Sequence, residues 1–198
     1  MPLILEKQIN AAKKLAVWDI NEPTGYFVDK LQLKQDENRS EKRLCEQAAG
    51  MLLLNHLCGE GLHMQLDKDV YGKPFIHNSL ISVSFSHSKN LVACLVDFSG
   101  GPAGIDIELC RHNIGLLASK FASTHDSTPL NGDAHHQLIW GAKEVLYKIY
   151  GKKELDFKRD MKIAYNDALS ASLCIPGYSK QFQLDYMELG TFLLVWNV

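Results

Sequence analysis

The chain carries almost no net charge. Its 21 Lys and Arg stand against 23 Asp and Glu, a formal −2, so no bulk field draws it to nucleic acid and no nucleic-acid partner is expected. There is no run of about 18 apolar residues to span a bilayer, and Met1-Pro2-Leu3-Ile4-Leu5-Glu6 lacks the basic start and longer apolar run of a secretion signal. Together these absences predict a cytoplasmic protein with no membrane partner. Cysteine is sparse: Cys45, Cys58, Cys94, Cys110 and Cys174 are odd in number, scattered, and without C-x-x-C spacing. That argues against a disulfide framework and against zinc or redox chemistry, and predicts buried, reduced thiols. The eight histidines add no zinc spacing, since only His135 and His136 are adjacent. What is present, 46% hydrophobic and 22% charged residues, is ordinary globular composition with material for one or two cores.

Taken in order, Leu3–Glu6 and Lys14–Ile20 read as strands, Tyr26–Leu33 as a weak amphipathic helix, and Glu41 to about Leu57 as a long helix capped by Ser40 and ended by Gly59. Arg39, Lys42 and Arg43 lie at the start of that helix, where its dipole adds to their attraction for an anion. Leu62–Leu66 reads as a strand. Ile81–Phe85 and Leu91–Val96 read as two more, joined through a polar loop Ser86-His87-Ser88-Lys89-Asn90. After the breaker Phe98–Pro102 comes a short helix over Ile114–Phe121. A principal helix follows over Ala134–Tyr150, capped by Asp133 and closed by Gly151, and then short β-like runs at Met161–Ile163, Ala168–Ile175, Phe182–Tyr186 and Phe192–Trp196. Each half is thus one long helix plus several short strands.

Two stretches carry the chemistry. In Gly104-Ile105-Asp106-Ile107-Glu108, apolar and acidic residues alternate at period two, so a strand buries the isoleucines and turns both carboxylates to the other face. Paired carboxylates repel, and a hard cation such as Mg²⁺ between them relieves that. In Trp140-Gly141-Ala142-Lys143-Glu144-Val145-Leu146-Tyr147-Lys148, helical spacing puts Trp140, Glu144 and Lys148 in one row beside an apolar stripe of Leu138, Ala142, Val145, Leu146 and Ile149. Taken singly, either stretch is better explained by solvated surface charge. Taken together, three carboxylates and a lysine describe a site for a metal-bound phosphate.

These two stretches resemble the paired motifs of the 4′-phosphopantetheinyl transferase superfamily. Upstream, Tyr71-Gly72-Lys73-Pro74-Phe75 and Ser84-Phe85-Ser86-His87-Ser88 are similar to two further family elements, in family order. The resemblance covers residues 70–151, and the length matches the longer, single-chain type. It implies an α+β fold of two pseudo-symmetric subdomains, residues 1–100 and 101–198, each a small, mostly antiparallel sheet packed with a long helix. The active site would lie between them, so that a monomer completes it. It implies transfer of 4′-phosphopantetheine from coenzyme A to a serine of an apo acyl or peptidyl carrier protein. In that scheme Asp106, Glu108 and Glu144 hold Mg²⁺, Glu144 and Lys148 are catalytic, and Lys73, Ser86, His87 and Lys148 bind coenzyme A.

Departures from the family pattern are Ser84 where Asn is common, Asp126 in place of a longer acid, one missing aromatic near Phe121, and Gly141 inside a helix. The position of Lys143 gives it no evident role. Lys152, Lys153, Lys158 and Arg159 form a basic stretch suited to an acidic carrier surface. Two rival readings keep the same residues: a non-catalytic relative that binds coenzyme A or a carrier, and a Mg²⁺-dependent nucleotide phosphohydrolase in which Glu144 activates water.

Overall fold

The computed structural model describes residues 2–31, 40–59 and 65–198. It is a mixed α+β protein in which every strand pairing is antiparallel. The first half runs β1 (Leu3–Gln8), β2 (Lys13–Asp19), α1 (Thr24–Leu31), α2 (Glu41–Cys58), β3 (Leu66–Lys68), β4 (Pro74–Ile76), β5 (Ser82–Ser88) and β6 (Leu91–Asp97). The second half runs β7 (Ile105–Leu109), a 3-10 helix (Ile114–Lys120), α3 (Gly132–Tyr150), β8 (Met161–Asn166), β9 (Ala168–Ile175), β10 (Tyr178–Leu189) and β11 (Phe192–Asn197). One sheet has the order β1-β2-β6-β5, the other β7-β11-β10-β9-β8, and β3 with β4 forms a separate small hairpin.

Burial on both faces explains the apolar composition of the central strands. α2 buries Ala48, Ala49, Leu53, Leu54 and Leu57 against Ala16, Val92, Cys94 and Val96 of the first sheet. The alternate residues Leu15, Val17, Leu91, Ala93 and Leu95 point the other way and meet Ile105, Ile107, Leu194 and Trp196 of the second sheet. α3 covers the far face of that second sheet with Leu138, Ala142, Val145, Leu146 and Ile149. The layers are therefore helix, sheet, sheet, helix, and β6 is buried at every position.

Ser40 caps α2 by accepting the Arg43 N–H at 3.4 Å, and Gly151 closes α3 at φ 69°, its N–H donating to the Tyr147 carbonyl. Other expectations are corrected. α3 starts at Gly132 after an Asn131 that makes no side-chain cap; Asp133 instead accepts the N–H groups of Asn113 and Gly115 and so fastens the 3-10 helix to α3. The expected Ser86–Asn90 loop is largely strand, since β5 continues through Ser88 and only Lys89 and Asn90 turn. β10 is more than twice as long as the run expected at Phe182–Tyr186, because its polar first half pairs with β9 and its second half with β11. The expected helix end at Leu33, the segment at residues 62–64 and Arg39 lie outside the described residues. Cys45 and Cys94 are buried, whereas Cys110 and Cys174 are exposed. No helix among the described residues is long and apolar enough to cross a membrane.

Candidate functional site

The site is built where the sheets meet edge to edge. β5 and β7 are the edge strands of their sheets and lie alongside one another without a backbone ladder between them. Serines at period two on β5 provide the connection. Ser84 Oγ accepts the Ile105 N–H at 3.2 Å, Ser86 Oγ donates to Asp106 Oδ1 at 2.9 Å, and Ser88 Oγ donates to Glu108 Oε2 at 3.3 Å while accepting the Leu109 N–H at 3.1 Å. The one hydroxyl proton of Ser86 is thereby directed at Asp106 and not into open space.

α3 crosses above β7 and brings the other two groups. Lys148 Nζ donates to Asp106 Oδ1 and to the Ile105 carbonyl, both at 2.8 Å. Glu144, one turn earlier, makes no hydrogen bond or ion pair among the described residues. Burial pushes its carboxyl up to about 7, the charges of Asp106 and Glu108 add to this, and Lys148 opposes it. The four residues taken from the two motifs are therefore neighbours in one electrostatic unit. Asp106 is 4% exposed, and its Oδ2 is buried without a hydrogen-bond partner. An orphaned carboxylate oxygen beside a half-neutralised glutamate is a donor set short of positive charge, which suits a hard cation. Among the described residues, however, no group of three or more His, Cys, Asp or Glu side chains is gathered closely enough to hold a metal ion. Two of the oxygens are already committed, Asp106 Oδ1 to Ser86 and Lys148, and Glu108 Oε2 to Ser88 and to Arg111 Nη2 at 3.4 Å.

Lys148, Tyr147, Ser84 and Ser86 also line a cavity of about 700 Å³ that reaches back to α2 and the β3–β4 hairpin. Its walls carry the cations Arg43, Lys68, Lys73 and Lys152 with the acids Glu46 and Asp67, and its floor is apolar, including Leu44, Met51, Val83 and Phe85. Leu44 and Met51 turn towards this space, because Cys45, Ala48, Ala49 and Leu53 form the packed face of α2. Lys73 Nζ donates to the Ile149 carbonyl at 2.6 Å, tying the hairpin to the C-terminal end of α3; burial lowers its pKa, with Asp69 opposing. Its stem passes over Gly151, where any Cβ would stand 2.3 Å from Lys73 Cδ. His87 points outward, with Nδ1 at 3.6 Å from Glu46 Oε1, and Lys42 Nζ approaches the same oxygen at 3.7 Å. Ser86, Lys73 and Lys148 thus share one cavity with His87 at its rim, but all three are bonded to protein groups.

Three residues of the motif have structural explanations that the sequence did not disclose. Lys143 is fully buried and donates to the Phe121 carbonyl at 3.0 Å, Asp126 Oδ2 at 2.6 Å and the Phe157 carbonyl at 2.8 Å. Trp140 leaves the row of Glu144 and Lys148 to pack edge-on against Phe121 and tilted against Phe157. Gly141 lets α3 approach the sheet: a Cβ there would stand 2.9 Å from Val195 Cγ2 and 3.6 Å from Asp106 Oδ2. Gly141→Ala gains about 1 kcal/mol of helix propensity against about 1–3 kcal/mol of overpacking. Because Val195 is itself buried, the clash is expected to win, lowering the urea midpoint; a midpoint at or above wild type would refute the close-approach reading. Comparison of the chain with protein-family models gives no match, and a search of curated proteins gives none either.

Proposed function

We propose that the chain transfers 4′-phosphopantetheine from coenzyme A to a serine hydroxyl of an apo acyl or peptidyl carrier protein. The observation that carries the reading is that Lys148, in the wall of a cavity of about 700 Å³, is bonded to Asp106 and stands one helical turn from Glu144, whose carboxyl is pushed up to about 7. A cavity of that size is suited to a nucleotide-sized ligand. Asp106, Glu108 and Glu144 are the residues that would hold Mg²⁺, which when bound neutralises the pyrophosphate charge.

The serine oxygen attacks the phosphorus attached to pantetheine, the new O–P bond forms, the pyrophosphate bond breaks, and adenosine 3′,5′-bisphosphate leaves. Glu144, whose carboxyl makes no hydrogen bond or ion pair among the described residues, accepts the serine proton. Lys148 exchanges its bond to Asp106 for one to the transferring phosphate, supplying positive charge where negative charge develops. Arg43, Lys68 and Lys152 in the cavity wall meet the remaining phosphates, and Lys73 joins them on release from Ile149. Lys152, Lys153, Lys158 and Arg159 offer an acidic carrier a complementary surface.

Intact-mass spectrometry of several apo carrier proteins, incubated with the chain, coenzyme A and Mg²⁺ beside a no-metal control, tests this. A metal-dependent gain of one phosphopantetheine on a single serine supports the reading. Coenzyme A binding with no gain on any carrier favours the non-catalytic relative. Product release without a carrier indicates the hydrolase. Lys148→Ala is expected to lower kcat by about 10²–10³-fold with a much smaller rise in the KM for coenzyme A; the reverse split would make Lys148 a docking residue.

A further inference from the structure

The side chains that aim the two β7 carboxylates come from the other half of the molecule. Ser84, Ser86 and Ser88 stand at i, i+2 and i+4 on β5, so all three project to one side of that strand, towards β7. Ser84 and Ser88 accept β7 amide protons that an edge strand would otherwise leave unpaired, and Ser86 and Ser88 spend their own protons on Asp106 and Glu108. Each carboxylate thereby loses rotational freedom. Asp106 is held through Oδ1, which leaves Oδ2 without a hydrogen-bond partner. Glu108 is held through Oε2, a bond that the 3.4 Å contact from Arg111 reinforces.

We infer that Ser86 and Ser88 are positioning residues that set the cation affinity of Asp106 and Glu108 from the opposing sheet, so that the site is complete only while the edges of the two sheets stay in register. This rests on the reading of Asp106, Glu108 and Glu144 as a Mg²⁺ site. A hydroxyl that orients a metal-ligating carboxylate typically affects metal affinity by about 10–100-fold. Ser88, outside the cavity lining, is not required to touch substrate.

The test is calorimetric titration of the full chain with Mg²⁺ and Mn²⁺ in the absence of coenzyme A, for wild type, Ser86→Ala, Ser88→Ala, Ser88→Thr and Asp106→Ala, with unfolding midpoints taken in chelator. The expected result is metal binding by wild type, about 10–100-fold weaker binding by each Ser→Ala variant, recovery in Ser88→Thr, which keeps the hydroxyl, and no binding by Asp106→Ala. In the transfer assay of Ser88→Ala the Mg²⁺ concentration for half-maximal rate should rise by the same factor, while kcat at saturating Mg²⁺ and the KM for coenzyme A hold. Wild type that binds metal with Ser→Ala variants that bind it equally well would overturn the positioning role and leave the metal site standing. Wild type that binds no metal would overturn the metal site and this inference with it. Ser88 is only half-buried, so Ser88→Ala remains decisive if the buried Ser86→Ala variant does not fold.

Discussion

Lys143→Met is expected to destabilise the protein by about 3–5 kcal/mol, a fall in Tm of roughly 6–20 °C for a chain of this size. The ammonium has three protons and uses all of them, on the Phe121 carbonyl, Asp126 Oδ2 and the Phe157 carbonyl. It therefore joins three separate segments to the middle of α3: the end of the 3-10 helix, the turn holding Asp126, and the segment leading to β8. Asp126 is itself locked, accepting the Ser123 N–H at 2.8 Å through Oδ2 and the Ile163 N–H at 2.8 Å through Oδ1. Removing the lysine leaves that carboxylate charged, buried and short of its cation, and the cost of this exceeds the original worth of the pair. Burial lowers the Lys143 pKa and Asp126 opposes this, so desolvation of the lysine is the larger effect and the pair is held by geometry more than by net attraction.

A cycle distinguishes this account from simple loss of packing. Asp126→Asn removes the charge but keeps only one oxygen, enough for the Ile163 amide and not for that of Ser123; because an uncompensated buried charge costs more than one lost hydrogen bond, Lys143→Met combined with Asp126→Asn should still be more stable than Lys143→Met alone. Urea unfolding measures both. A Lys143→Met variant within about 1 kcal/mol of wild type, or a double variant whose losses simply add, would show that the charge of the pair is not what matters. The proposed transfer activity, measured well below the Tm, should survive, because Lys143 faces away from Glu144 and contacts none of Asp106, Glu108 or Lys148.

Lys143 also marks where the sequence became illegible. In a Lys-Glu-x-x-x-Lys pattern all three charges look alike, and the prior for each is exposed surface. Only the fold separates the fully buried Lys143 from the half-buried Glu144 and Lys148, because α3 is covered by a sheet on one side and by the 155–158 segment on another. The alternation of Gly104–Glu108 and the apolar stripe of α3 were legible because both sides of the pattern, buried and polar, repeat at the period of the element. β5 defeated the same logic. Its serines satisfy an edge instead of facing water, so a strand that continues to Ser88 looked like a loop beginning at Ser86. The polar first half of β10 failed for a related reason: β9 pairs with it through the backbone, which composition does not register. The site followed the same division. Asp106, Glu108, Glu144 and Lys148 are brought together, whereas the engagement of Ser86 with Asp106 and of Lys73 with Ile149 depends on contacts between halves that no local pattern encodes.

Glu144→Gln is expected to make the protein more stable and nearly inactive. The amide cannot accept the serine proton, and loss of a general base costs about 10²–10⁴-fold in rate. For wild type, the deprotonated carboxylate is the working form of the proposed reaction; the metal-free carboxyl sits at about 7 and bound Mg²⁺ lowers it, so the rate should fall about tenfold per pH unit only below that lowered value. The stability effect has the opposite sense. The folded protein raises this carboxyl from its ordinary 4.5 to about 7, so between those values the folded state holds a proton that the unfolded state has lost. Stability from this group is fully present below about pH 4.5 and is lost as the pH rises through 7. At about 1.4 kcal/mol per pKa unit the whole effect is on the order of 3 kcal/mol. Glutamine resembles the protonated form at every pH and escapes the loss. Urea unfolding of both proteins in chelator should therefore give similar stability at pH 4.5 and a growing advantage for Glu144→Gln up to pH 8. Taking the difference between the two proteins cancels the other titrating groups. Equal stability at pH 8 would show that Glu144 is ionised in the folded state at no cost; its repulsion from Asp106 and Glu108 would then be too weak to demand a cation, and the proposed metal site would lose its main physical support.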